Sequence, residues 1–402
     1  MYWSAGVGVA ALLLGMLLTR VVPFLRRFCI PLPVSGGLCI SLLALLIYAV
    51  SGVQCAYDPA LKDLCMMIFF TSVGFQCDMK SIGRGGRPLV VMVILVAVLI
   101  VAQNLISVGI ASGLGLDPLF GMAAGSIPMC GGHGTSGGFS PLLEQFGLEE
   151  ASSVTMAAAT FGLVAGSLLG GPLGEALIRR RHLGEQSDHS DVMKGLEATE
   201  ASPESSVGVS SDESAFRKYL LGACSLIVAM ALGSGLGRLL ALTGLSFPTY
   251  FGSLLAAFVL RNVVSLFPKG EESLGLGAVV SIGDICLQLF LGMAMAGLRL
   301  WELASLALPL SLILAAQVVF MAFFGAFVAF PLLGRDYDAA VLVSGLCGFG
   351  LGATPNAMAN MSAVCYKYRY ATLPFLIVPV IGAMFVDIIN TGVITLFLNL
   401  IR

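Results

Sequence analysis

Long apolar runs broken by short polar stretches set the pattern of this chain. A helix needs about 20 apolar residues to cross the hydrocarbon of a bilayer, and ten segments approach or exceed that length. They fall at roughly 3–22, 34–53, 61–78, 88–113 and 151–178, then 217–243, 247–266, 275–298, 304–332 and 370–400. Between the two sets, residues 182–216 are rich in serine and hold eight acids against one lysine. Such a stretch buries too little apolar surface to order itself and is expected to be a solvated linker. The pattern predicts an all-α polytopic membrane protein, with a five-span unit at 1–181, the linker at 182–216 and a second five-span unit at 217–402.

The two units resemble each other. PVSGGLCISLLALL near Pro33 answers PTYFGSLLAAFVL near Pro248, and VAQNLIS at Gln103 answers AAQVVFM at Gln317. GSIPMCGGHGT at Gly125 is matched by GLCGFGLGATP at Gly345, each lying between the fourth and fifth spans of its unit. This is the signature of an internal repeat. The stretches around these glycines, about 119–149 and 338–366, are too short for two full crossings. Each is expected to be one broken crossing or a re-entrant hairpin.

Charge placement separates the two. With the N-terminus outside and both stretches re-entrant, 17 of the 21 Lys and Arg residues fall inside, leaving Lys62, Arg238, Arg299 and Arg402 outside. Full crossings would give 10 inside and 11 outside, so the positive-inside rule favours hairpins. Five crossings per unit then set the two repeats in opposite orientations, with the linker cytoplasmic and both termini on the outer face.

Composition narrows the class. At 57% hydrophobic and 11% charged the chain is outside the range of soluble domains. MYWSAGVGVAALLLGMLLTR has no basic region ahead of its apolar stretch and reads as a first span rather than a cleaved signal. Ten cysteines are scattered without a C-x-x-C pair, which argues against a disulfide framework or a zinc site. No basic patch suggests nucleic acid. A channel reading lacks a ring of like charges or a filter, and an enzyme reading lacks a nucleophile and base at a believable spacing.

Irregular backbone at membrane depth is tolerated only where protein buries it or where it lines a watery cavity. CGGHGTSGGFSP, Cys130 to Pro141, therefore suggests a ligand site. Gly131, Gly132 and Gly134 let amide groups approach a ligand, His133 sits among them, and Thr135 follows. Gly350, Gly352, Thr354, Pro355 and Asn356 form the second cluster. Two such tips meeting near the midplane would offer helix N-termini to an anion and unwound carbonyls to a cation, which predicts a carrier. GLVAGSLLGGPLG, Gly162 to Gly174, has the small-x-x-x-small spacing of close helix packing. Charge at depth is costly and so informative: Asp387, with Asn390 one turn on, is a candidate for sodium or amine coordination, and Thr160 is a further candidate ligand. Gln103 and Gln317 read as glue between helices. No Lys or Arg lies clearly deep, leaving amides, hydroxyls, His133 or Arg299 to meet a carboxylate.

GGHGTSGG, TFGLVAGSLLGGP, LGMAMAGLRLWELASLALPL, YDAAVL, GLCGFGLGATPNAMANM and VPVIGAMFVDIIN together resemble the bacterial sodium/glutamate symporters, the glutamate:sodium symporter family, over nearly the whole chain except the linker. The resemblance implies uptake of L-glutamate across the bacterial inner membrane driven by co-transported sodium. It also implies inverted five-span repeats with re-entrant loops, a homodimer, and alternating access of elevator type. Tip importance would carry onto Gly131 to Thr135, Gly348, Gly350, Gly352, Ala353, Thr354 and Pro355. Pro128, Met129 and Cys130 stand where the resemblance implies a Thr-Leu-Ser run, which removes hydroxyls close to the glycine cluster. The alternative is a carrier of the same fold for a related organic anion or amino acid, with proton coupling through Asp387 or His133.

Overall fold

The computed structural model describes residues 2–53, 57–183, 212–244, 246–267, 274–301 and 303–401. Most of the expected linker, including Lys194, together with Lys269 and Arg402, lies outside the described residues. Within them the chain is helical and holds no strand. Helices α1 (Tyr2–Val21), α2 (Leu32–Ser51), α3 (Ala60–Gln76) and α4 (Met79–Gly113) lead into a broken stretch, α5 (Pro118–Ala123), α6 (Ser126–Met129) and α7 (Gly132–Gln145), and then α8 (Ala151–Arg181). After the linker come α9 (Asp212–Ala241), α10 (Phe251–Val264), α11 (Leu276–Ala296) and α12 (Leu303–Phe323). A second broken stretch, α13 (Tyr337–Leu351) and α14 (Thr354–Lys367), precedes α15 (Thr372–Val380) and α16 (Val386–Ile401).

Among the described residues, seven helical runs are long and apolar enough to cross a membrane. Three expected spans are shorter. Helix α3 has 17 residues and α10 has 14, because Pro248 and Tyr250 hold the preceding chain in a turn. The last apolar run is divided by a π-helical turn at Ile381–Phe385. A second π turn, Phe324–Ala329, prolongs α12.

The helices pack as two groups, each drawn from both halves of the chain. In the first, α1, α2, α3, α9, α10 and α11 pack on one another. In the second, α8 lies on α7, α13 and α14, and α4 lies on α5, α12 and α16. Contacts between the groups include α11 on α7 and α3 on the Ile381–Phe385 turn.

Small residues bring these helices close, as packing in lipid requires. Gly15 faces the Leu32 carbonyl, and Gly36 faces that of Ala11, which seats α1 against α2. In α8 the stripe Gly162, Gly166, Gly170 and Gly174 lies along α13; a Cβ at Gly166 would stand 3.1 Å from the Cys347 carbonyl oxygen. The spacing read as a packing motif is thus a packing surface. Each broken stretch is entered through an aspartate cap: Asp117 accepts from Leu119 N–H at 2.8 Å and Asp336 from Ala339 N–H at 2.8 Å, each satisfying a free donor of the first turn.

Candidate functional site

A helix that breaks inside a protein exposes backbone groups that must be paired again. At the first break Gly125 (φ −89°, ψ −138°) turns the chain. The Ser126 N–H donates to Asn104 Oδ1 at 2.9 Å, its hydroxyl donates to Asn390 Oδ1 at 2.7 Å, and its carbonyl accepts from Asn390 Nδ2 at 3.1 Å. At the second break the Gly350 carbonyl accepts from Gln103 Nε2 at 2.7 Å, and the Gln103 carbonyl accepts from Gln317 Nε2 at 2.8 Å. Asn356 Nδ2 donates to the Leu163 carbonyl at 2.7 Å and to Ser167 Oγ at 3.0 Å, tying α14 to α8. Amide side chains from neighbouring helices hold both breaks open.

The breaks meet. Gly132 has φ +59°, a left-handed conformation that suits glycine, and a Cβ there would lie 3.0 Å from the Gly352 carbonyl oxygen. Beside this contact is a cavity of about 400 Å³. Its second-group wall is Cys130 to Thr135, Gly352 to Pro355, Gly382 in the π turn, and Asp387. Gly382 lies directly against Thr354, where a side chain would collide with the Thr354 hydroxyl. The first group supplies Phe69, Phe70, Leu287, Gln288 and Leu291, and Cys29 and Pro31 close one end.

Helices α7 and α14 both begin at this cavity, so the positive ends of their dipoles are directed at it, with first-turn N–H groups from α7 but only that of Thr354 from α14, because Pro355 has none and the Asn356 N–H donates to the Ala353 carbonyl at 3.0 Å. Asp387 provides the opposite sign, and no Lys or Arg is among the lining residues. His133, 5% exposed, reaches Thr160 Oγ1 with Nε2 at 3.0 Å, while the Thr160 hydroxyl donates to the Met156 carbonyl at 2.9 Å. Because Thr160 has a single hydroxyl hydrogen, His133 donates from Nε2. Its ring is thereby fixed against α8 with Nδ1 left over. The combination suits a small ligand bearing carboxylate and a positive centre.

Of the candidates from the sequence, Gly131, Gly132, His133, Gly134, Thr135, Gly352, Thr354, Pro355 and Asp387 line this one cavity. Gly350 and Asn356 stand behind it in the hydrogen bonds that hold the second break. Thr160 is engaged by His133 and Asn390 by Ser126, so neither reaches the cavity wall that Asp387 occupies. Arg299 lines a different cavity with Lys62. Sequence reasoning missed Gln288, whose buried Oε1 makes no hydrogen bond; a lone amide within the apolar run of α11 was the available signal. It also missed Asn104, although that residue adjoins Gln103.

The comparisons with known proteins agree on one relationship. The model of the sodium/glutamate symporter family matches residues 2–370. The sodium/glutamate symporter of Escherichia coli (strain K12) is 41% identical over 391 residues, 97% of this chain and 95% of the relative. That of Shigella flexneri gives the same values, and that of Haemophilus influenzae (strain ATCC 51907 / DSM 11121 / KW20 / Rd) is 36% identical over 394 residues, 98% of this chain and 96% of the relative. With its apolar helices and a match spanning nearly its whole length, the chain is a multi-pass membrane protein and belongs to the sodium/glutamate symporter family, a family of transporters rather than enzymes.

Proposed function

We propose that this protein takes up L-glutamate across the bacterial inner membrane in symport with sodium, holding the amino acid between the two glycine-rich tips. The observation that carries the reading is the meeting of Gly132 and Gly352 beside one cavity that two helix N-termini and the Asp387 carboxylate face. First-turn amides of α7 and the Thr354 N–H of α14, with the Thr135 and Thr354 hydroxyls, suit the carboxylates, while Asp387 suits the ammonium group or the co-transported cation. Gly131, His133, Gly134 and Pro355 shape the wall, and Gly350 and Asn356 support it from behind.

In this reading the broken stretches are re-entrant hairpins of two inverted five-span repeats, 1–181 and 217–402. The matched aspartate caps and the linked Gln103 and Gln317 support that symmetry. The linker is cytoplasmic and both termini are periplasmic, on the charge argument. The second helix group is the body that travels, in an elevator movement against the first group, with the protein working as a homodimer. Cys29 and Pro31 lie just beyond Arg20, Arg26 and Arg27 and line the cavity. This supports a conformation with the tips displaced toward the cytoplasm.

The test is uptake of labelled L-glutamate into proteoliposomes under an inward sodium gradient, repeated with potassium or with a proton gradient. Saturable uptake that requires sodium and is competed by close glutamate analogues is expected. No sodium-driven glutamate flux from folded protein overturns the proposal, and flux driven by protons would favour the carrier of a different coupling ion.

A further inference from the structure

We propose that Gln288 is the residue of the first helix group that reads the side-chain end of the substrate, its amide donating to the distal carboxylate of a bound dicarboxylic amino acid. The inference rests on the glutamate reading above and deepens it, by assigning one side chain to substrate choice.

Buried amide side chains elsewhere in this protein hold helices together. Gln103, Gln317, Asn356, Asn360 and Asn390 each donate to a backbone carbonyl of another helix. Gln288 stands in the interior of α11, at a depth where an amide without a partner is costly. Among the described residues it makes no such bond, and its Oε1 is buried without a partner. A polar side chain kept at that cost and unused by the fold calls for a ligand.

Its position indicates which group of the ligand it meets. Leu287, Gln288 and Leu291 bring α11 to the tip cavity, and Phe69 and Phe70 bring α3. Gln288 is thus an amide set among four apolar side chains. Phe69 stands over the first tip, where a Cβ on Gly134 would lie 3.2 Å from its Cε1. The opposite wall, the tips and Asp387, suits the α-carboxylate and ammonium that every amino acid carries. A substrate held there directs its methylenes at the apolar side chains and its far end at Gln288. The last torsion of a glutamine is soft and two-fold, so an amide untied to its own protein is able to turn its NH2 group to a carboxylate. No Lys or Arg among the lining residues competes for that carboxylate. A neutral donor also leaves no unpaired charge in the wall when the cavity is empty.

The test is thermal unfolding of the purified full chain in sodium, titrated with L-glutamate and with L-glutamine, with glutamate uptake in proteoliposomes measured beside it. Glutamate is expected to stabilise the wild type saturably. Gln288→Leu should raise the half-saturating glutamate concentration by about tenfold, the scale of one lost hydrogen bond to a charged group. Its Tm without ligand should stay at or above that of the wild type, because an unpaired buried amide has been removed. Gln317→Leu, which breaks a bond between helices, supplies the fall in ligand-free Tm that a purely structural role would give. Gln288→Glu sets a like charge against the distal carboxylate, so it should weaken glutamate further than leucine does and shift preference toward glutamine, whose side chain ends in a neutral amide. An unchanged glutamate half-saturation in folded Gln288→Leu overturns the proposal and leaves the glutamate reading intact. A ligand-free Tm lowered as in Gln317→Leu, or equal weakening of both amino acids by Gln288→Glu, overturns it as well. Wild-type protein that glutamate does not stabilise and that does not transport glutamate in sodium overturns the functional reading and this assignment together.

Discussion

Asn390 was a candidate ion ligand in the sequence, yet the structure uses both ends of its amide to hold the first break. Replacing it with leucine, of nearly the same size, separates the two roles. Asn390 and Ser126 are each 0% exposed, so Asn390→Leu strands the Ser126 hydroxyl where water cannot reach; the Ser126 carbonyl keeps the Cys130 and Gly131 N–H groups as donors, each at 3.1 Å. One unpaired buried group costs about 1–3 kcal/mol. For a large domain that corresponds to a fall of roughly 5 °C in Tm. Adding Ser126→Ala removes the stranded hydroxyl and should return most of that loss. The assay is thermal unfolding of the two single variants and the double variant in detergent, with sodium activation of uptake measured beside it. Asn390→Leu protein as stable as wild type but with altered sodium activation would refute the anchoring argument and return Asn390 to the ion.

Four further outcomes are expected. Gly132→Ala forces a side chain into the left-handed region, a strain of about 1–2 kcal/mol, and crowds the Gly352 carbonyl; uptake assays should show a raised KM, and an unchanged KM would count against contact between the tips. Asp387→Asn should weaken sodium dependence of uptake more than it lowers Tm, and normal expression with unchanged sodium activation would sink that assignment. Asp58, in the loop before α3, accepts from Ala60 N–H at 2.9 Å, which holds its carboxyl below its ordinary range. Its stabilising contribution is therefore complete at neutral pH and lost as pH falls through the lowered pKa, so Tm values of wild type and Asp58→Ala should differ at neutral pH and converge in acid; equal values at pH 7 would contradict it. Gly138→Ala sets a Cβ 2.6 Å from the Tyr250 ring, and flux measurements should show slower turnover with substrate binding retained; unimpaired turnover would exclude a close fit at that face.

Features carried by spacing along one helix were legible in the sequence. Gly162 to Gly174 announced a packing stripe because a period of four defines one face, and the two glycine clusters announced broken helices because few other residues bend so freely. Features that depend on which helices meet were not legible. Asn390 shares a face with Asp387, but its partner Ser126 lies 264 positions away, and only the folded chain decides that the amide serves the break. Thr160 likewise gave no sign that His133 would claim it. The shortness of α10 was hidden because Pro248, Thr249 and Tyr250 sit in an apolar run although they form a turn. Tyr250 itself carried no signal, since an aromatic residue near a span end is ordinary.

On α7, Gly137 and Gly138 present bare backbone to Phe290 and Tyr250, rigid rings held by the opposing helix group. Interlocked side chains would have to be pulled apart before one body could pass the other, as teeth must clear in a gear. Gly137 and Gly138 have no teeth, although Phe139 beside them meets the Tyr250 ring edge-on. On the proposed displacement the rings can glide along these two glycines at nearly constant contact, so the barrier to travel is governed by the ligands that close the tips rather than by friction between the bodies.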